Sequence, residues 1–149
     1  MKSILFVCTG NTCRSPLAEG LFRNMLRFDQ EVMISSAGVH ASRGLPASAN
    51  TLAILAEEGI DLSLFRSQPV TPHLIKQATH IFAMTHRHLR ELATLYPDAQ
   101  KKIFLLNEGT TQEDILDPIG GSIETYRHCF SSIQRALENI LMLINKNII

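Results

Sequence analysis

The chain has 149 residues, 45% of them hydrophobic and 19% charged, a globular composition that excludes a disordered or collagen-like protein. Its length fits a single domain over residues 1–149 and suffices to bury a core without staples. Lys plus Arg and Asp plus Glu number 14 each, so the formal net charge is zero. No global field draws the chain to nucleic acid or acidic membranes, and any attraction for anions must be local.

Ser3 to Val7 is a continuous apolar, β-rich run and reads as a strand buried on both faces. Cys8 to Ser15 is a polar loop. Pro16 falls in the first turn of the helix that follows, with Ser15 as the expected N-cap. Leu17, Leu21 and Met25, with Phe22 and Leu26, form that helix's apolar stripe. A second strand is predicted over Glu31–Ser36, ended by Ala37-Gly38. A loop with Gly44 and Pro46 then leads to a helix over Ala47–Glu58, stopped by Gly59. Thr71-Pro72 starts a short helix toward Ala78. Thr79–Met84 is a third strand, His86–Tyr96 a helix stopped by Pro97, and Lys102–Leu106 a fourth strand. Residues 107 to 121 form a long loop, whose Gly- and Thr-rich 107–116 portion is a candidate gate. Ser122 to about Asn145 is a long C-terminal helix. Strands alternating with helices imply right-handed βα units, hence an α/β, three-layer α/β/α fold around a four-stranded parallel sheet. Ligands in such sheets sit beyond the carboxyl ends of the strands, so the loop after the first strand is the first place to look.

Three cysteines, an odd count, give no disulfide framework and fit a reducing compartment. The Ile4–Val7 run is too short for a signal-peptide core, and no stretch reaches the ~18 apolar residues of a membrane span. The expectation is a soluble cytoplasmic protein, a monomer, with no nucleic-acid or membrane partner.

The loop Cys8-Thr9-Gly10-Asn11-Thr12-Cys13-Arg14-Ser15 leaves a buried strand and opens a helix. Successive amides in such a loop curl into a nest for an anion, and the helix N-terminus adds unpaired donors. Gly10 and Asn11 tolerate the unusual backbone conformations this requires. Arg14, six positions after Cys8, can lie over one tetrahedral anion with the sulfur beneath it. The positive surroundings are expected to depress the Cys8 thiol, and Ser15 can donate a hydroxyl to the thiolate. A cysteine ending a buried strand is by itself most often a packing residue. The joint spacing of Cys, Arg and Ser is what shifts the reading to an activated sulfur beneath a phosphate cradle. A Walker loop is excluded by the lack of Gly-Lys-Ser/Thr. Zinc is opposed by Arg14 and by the lack of a second ligand pair, so no metal and no other cofactor is expected.

Phosphoryl transfer to sulfur needs an acid for the leaving group. Asp117-Pro118 lies in the long loop after the fourth strand, which reaches the same sheet edge, and Pro118 stiffens it. Asp114 is the bland competitor, a solvated carboxylate.

These residues resemble the low-molecular-weight protein-tyrosine-phosphatase family. The resemblance rests on Cys8-x5-Arg14-Ser15, the Ser35-Ser36-Ala37-Gly38 segment and Asp117-Pro118, and it runs through the whole chain in order and spacing. It implies the family's four-stranded parallel sheet and a cysteinyl-phosphate mechanism without metal. It also implies that Ser36 braces the loop through Asn11. The Gly10–Ser15 and Asp117-Pro118-Ile119-Gly120-Gly121-Ser122-Ile123 segments are similar to the bacterial protein-arginine phosphatase branch. That branch usually carries Phe where this chain has Ile119, which alters the pocket's apolar wall. The family often has a His after Ser63; here Leu64 stands, so one loop-supporting contact is expected to be absent or replaced.

The family's tyrosine phosphatases commonly carry Ile where this chain has Thr12. An apolar ring favours an apolar wall, whereas a phosphorylated guanidinium brings N–H donors that a Thr hydroxyl can accept. The expected function is hydrolysis of phosphorylated protein side chains, phosphoarginine first. The alternatives are a tyrosine phosphatase with the same chemistry and a phosphate-sensing module without turnover. Catalysis is assigned to Cys8, Arg14 and Asp117, and phosphate binding to Thr9 through Ser15. Specificity is assigned to Thr12 and Ile119. Cys13 is a candidate redox partner of Cys8, with a buried packing thiol as its alternative. Cys129 reads as core. His86, His88 and His128 read as surface residues.

Overall fold

In a computed structural model, which describes residues 1–111 and 113–149, the chain builds four parallel strands in the order β2-β1-β3-β4. These are β1 (Lys2–Cys8), β2 (Val32–Gly38), β3 (His80–Ala83) and β4 (Ile103–Leu105). The helices are α1 (Arg14–Met25), α2 (Ala49–Glu57), α3 (Pro72–Gln77), α4 (His86–Leu95) and α5 (Ile123–Asn145). The three-layer expectation holds. Side chains alternate along β1: Ile4, Phe6 and Cys8 enter the core shared with α1, α2 and α5, while Leu5 and Val7 enter the one shared with α3 and α4. Both faces of β1 are covered from Ile4 onward, which is why Ile4–Cys8 is an unbroken apolar run.

Most helices start on a side-chain cap. Ser48, Thr71, Thr85 and Ser122 each accept the amide three residues on, satisfying one of the open donors of the first turn. The α2 helix is shorter than expected at its start because Ser48 is its cap. Pro97, read as a helix stop, also begins a 3₁₀ turn over Pro97–Lys102.

The chain leaves β1 for β2 on one side, then crosses back to place β3 on the other. The loops after β1 and β3 therefore diverge from neighbouring strand ends, the crevice in which open α/β sheets bind ligands. The 107–121 loop reaches this edge through Ile115, which is buried and whose amide donates to the Met84 carbonyl at 2.9 Å. Of the candidate gate at 107–116, Gln112 lies outside the described residues.

Candidate active site

Backbone conformation shapes the loop first. Asn11 has φ 57°, in the left-handed region that Asn tolerates better than most residues. Carbonyls of the segment are taken from outside: Val39 donates to Cys8, His40 to Thr9, Ser48 to Thr12 and Leu17 to Cys13. The amides of Asn11 and Ser15, by contrast, aim at the Cys8 sulfur. Gly38, paired with Cys8 across the sheet, makes the wrap possible, since a Cβ there would collide with the Thr9 carbonyl oxygen.

The Cys8 Sγ lies 2.9 Å from Ser15 Oγ. Ser15 was the expected N-cap of α1; instead Cys13 holds that position without a side-chain cap, and the Ser15 hydroxyl turns to the sulfur. The donor order is set from outside the pair. The Gln68 amide donates to Asn11 Oδ1 at 2.9 Å, which fixes the Asn11 amide so that its Nδ2 donates to Ser15 Oγ at 2.8 Å and to Ser36 Oγ at 2.9 Å. Ser36 donates its hydroxyl hydrogen bond to Oε1 of buried Glu19 at 2.8 Å. Ser15 thus accepts from Asn11 and keeps its hydrogen for sulfur, the polarity a thiolate needs.

Burial pushes the Cys8 thiol up, against the pull of the Ser15 hydroxyl, the amides of Ser15 and Asn11 and the Arg14 charge. This corrects the expectation of a depressed thiol: the floor of the loop is dry enough for desolvation to outweigh its positive surroundings. The same burial holds Glu19 above the usual carboxylate range.

Arg14 is buried. Its guanidinium donates from Nη1 to the Ile115 carbonyl at 2.9 Å, and its Nη2 lies 3.5 Å from Thr9 Oγ1 and 3.6 Å from Asp117 Oδ2. One side chain therefore joins the loop after β1 to the loop after β4, and brings Cys8, Arg14 and Asp117 to one sheet edge. Asp117 is half-exposed and shapes its own turn, accepting the Ile119 amide at 3.1 Å. Ile119 itself is exposed beside it. Thr12 is half-buried; among the described residues its hydroxyl makes only a 3.8 Å contact to the neighbouring Cys13 sulfur, while its carbonyl ties the loop to Ser48. Cys13 is buried, 3.4 Å from the Tyr126 hydroxyl, and all three cysteines are free. Cys129 is in the core, and burial pushes its thiol up to about 12.

Sequence reasoning missed several supports. Leu64 is exposed; Gln68 instead holds Asn11 by its backbone and the Ser36 carbonyl by its side chain. Asp114, read as merely solvated, accepts from the amide and ring of His86 at the start of α4. His88, read as a surface residue, is 2% exposed and contacts Thr9. The Thr immediately before the His86–Tyr96 helix, a favoured N-cap residue, is a local signal that could have placed His88 in a fixed first turn.

The low molecular weight phosphotyrosine protein phosphatase family model matches residues 3–148. A protein-arginine-phosphatase of Bacillus subtilis (strain 168) is 38% identical over 147 residues, covering 97% of each chain. A probable low molecular weight protein-tyrosine-phosphatase, EpsP of Ralstonia solanacearum, is 36% identical over 138 residues, covering 93% of this chain and 92% of its own. A solved structure of the YwlE arginine phosphatase, a cysteine-to-serine mutant with a phosphorylated active site serine, superposes with a TM-score of 0.91 at 37% identity, covering 97% of this chain and 96% of that one. The chain belongs to the low molecular weight phosphotyrosine protein phosphatase family.

Proposed function

We propose that this chain is a cysteine-dependent protein-arginine phosphatase. The observation that carries the reading is the Cys8 sulfur held 2.9 Å from a hydroxyl whose only free hydrogen points to it, beneath a loop closed by Arg14. Cys8 attacks phosphorus in line with the P–N bond as the thiolate, the form that the Ser15 hydroxyl, the loop amides and Arg14 stabilise against the opposing effect of burial, forming an S–P bond as the bond to the guanidine nitrogen breaks. Loop amides from Thr9 to Arg14 and the Arg14 fork hold the three equatorial oxygens. Asp117 protonates the departing nitrogen, then takes a proton from the water that hydrolyses the cysteinyl-phosphate.

Two observations favour phosphoarginine over phosphotyrosine: the name of the Bacillus relative and the under-used Thr12 hydroxyl beside the loop. The Ralstonia relative supports phosphotyrosine as the second reading. Comparing kcat/KM on phosphoarginine and phosphotyrosine peptides separates them. Wild type should prefer phosphoarginine, and Thr12→Ile should move the ratio toward phosphotyrosine by about tenfold or more, the worth of one buried polar group left unpaired. A wild-type preference for phosphotyrosine overturns the arginine reading.

The substrates are phosphorylated proteins, and the three free thiols fit a reducing, cytoplasmic setting. Peroxide converts the Cys8 thiolate to a sulfenic acid, and the Cys13 thiol then displaces water to form a disulfide that protects the nucleophile. Both sulfurs border the same core. Mass spectrometry after peroxide treatment should find the Cys8–Cys13 link; its absence rejects the switch.

A further inference from the structure

His88 occupies the third position of α4, buried against the loop after β1. Its ring spans two hydroxyls: Nδ1 lies 3.0 Å from Thr85 Oγ1, and Nε2 lies 2.7 Å from Thr9 Oγ1. The Thr85 hydroxyl also accepts the His88 amide at 3.1 Å, so the ring is pinned to the cap of its own helix. Thr9 is the first residue of the phosphate loop, and its hydroxyl is the one that Arg14 Nη2 approaches at 3.5 Å. A chain of contacts therefore runs from the start of α4 through the imidazole to Thr9 and the Arg14 guanidinium.

We propose that His88 is a positioning residue that holds Thr9, and through it Arg14, in place for the phosphoryl group. The inference deepens the phosphatase reading and rests on it. The bond to Thr9 needs one ring nitrogen to donate or accept, and either neutral tautomer supplies it, because the hydroxyls at both ends can take the opposite role. Arg14, Arg87, Glu91 and Asp114 are the charged groups around the ring. Burial and the Arg14 charge hold it neutral, with its pKa lowered to about 4. A neutral imidazole braces the loop without adding a second cation that would compete with Arg14 for the phosphoryl oxygens.

The discriminating variants are His88→Gln, whose amide reaches the place of Nε2, and His88→Asn, which reaches only that of Nδ1. On an aryl phosphate, with inorganic phosphate as competitive inhibitor, Gln should hold kcat/KM and the phosphate Ki near wild type. Asn should lower kcat/KM and raise the phosphate Ki, each by about tenfold. Equal behaviour of the two amides, or wild-type activity in the Asn variant, overturns the proposal. If the Asn variant does not fold, Thr9→Val removes the same bond from the other side and should give the same losses; wild-type kinetics there also overturn it. Turnover that survives Cys8→Ser would instead overturn the phosphatase reading, since that outcome does not depend on His88.

Discussion

Two loops make the site, and they are built differently. The loop from Thr9 to Ser15 is locked from several sides: Asn11, Ser36, Glu19 and Gln68 on one flank, His88 and Thr85 on the other. The loop carrying Asp117 is open. Beyond buried Ile115, Leu116 and Ile119 face solvent, and Asp117 meets Arg14 only at 3.6 Å. The difference fits the task proposed for each. Stabilising an anion in the transition state requires donors that do not rearrange. Delivering a proton and meeting a protein surface require a group that reaches outward.

That contrast can be broken at either loop. Cys8→Ser should have the largest effect, abolishing steady-state turnover because a serine oxygen is a poorer nucleophile than sulfur and a far poorer leaving group when water attacks the phosphorylated enzyme; full activity would reject the covalent mechanism. Asp117→Asn should cost about 10²–10³-fold in kcat, the range for a lost general acid, while leaving inorganic phosphate binding close to wild type. A comparable loss of phosphate affinity would mean that Asp117 shapes the cradle rather than transferring the proton.

The smallest effect is on stability, and it sharpens the description of the rigid half. The His88 ring is lowered from 6.5 to about 4 in the folded chain. The folded state therefore binds its proton less readily than the unfolded one, so this contribution is fully present above the unfolded pKa and is lost as pH falls through the folded one. It amounts to up to about 3 kcal/mol across that window. Denaturant unfolding of wild type should weaken from pH 6.5 toward 4, and His88→Gln should flatten that slope; an unchanged slope would place the ring in contact with water.

Contiguous segments carried much of this in plain view. The apolar run of β1, the start of the long C-terminal helix near Ser122, the apolar stripe of α1 and the Cys8–Ser15 spacing each lie within a few residues, where helical and strand periodicity and loop chemistry act directly on neighbours. Asp117 was legible because topology alone sends the loop after β4 to the same sheet edge. The supports of the loop were not. His88 is 79 residues from Thr9 and Gln68 is 57 from Asn11, and neither pairing leaves a local pattern. Nor did the residue types fix the direction of the Cys8 shift, because the balance between desolvation and attraction depends on how much water packing excludes. Local pattern along the chain dictates the strand, the loop and which groups are candidates to react. Only the packed tertiary structure decided which distant side chains hold them and how dry the sulfur is, because burial and long-range hydrogen bonds arise when separate segments close on one another.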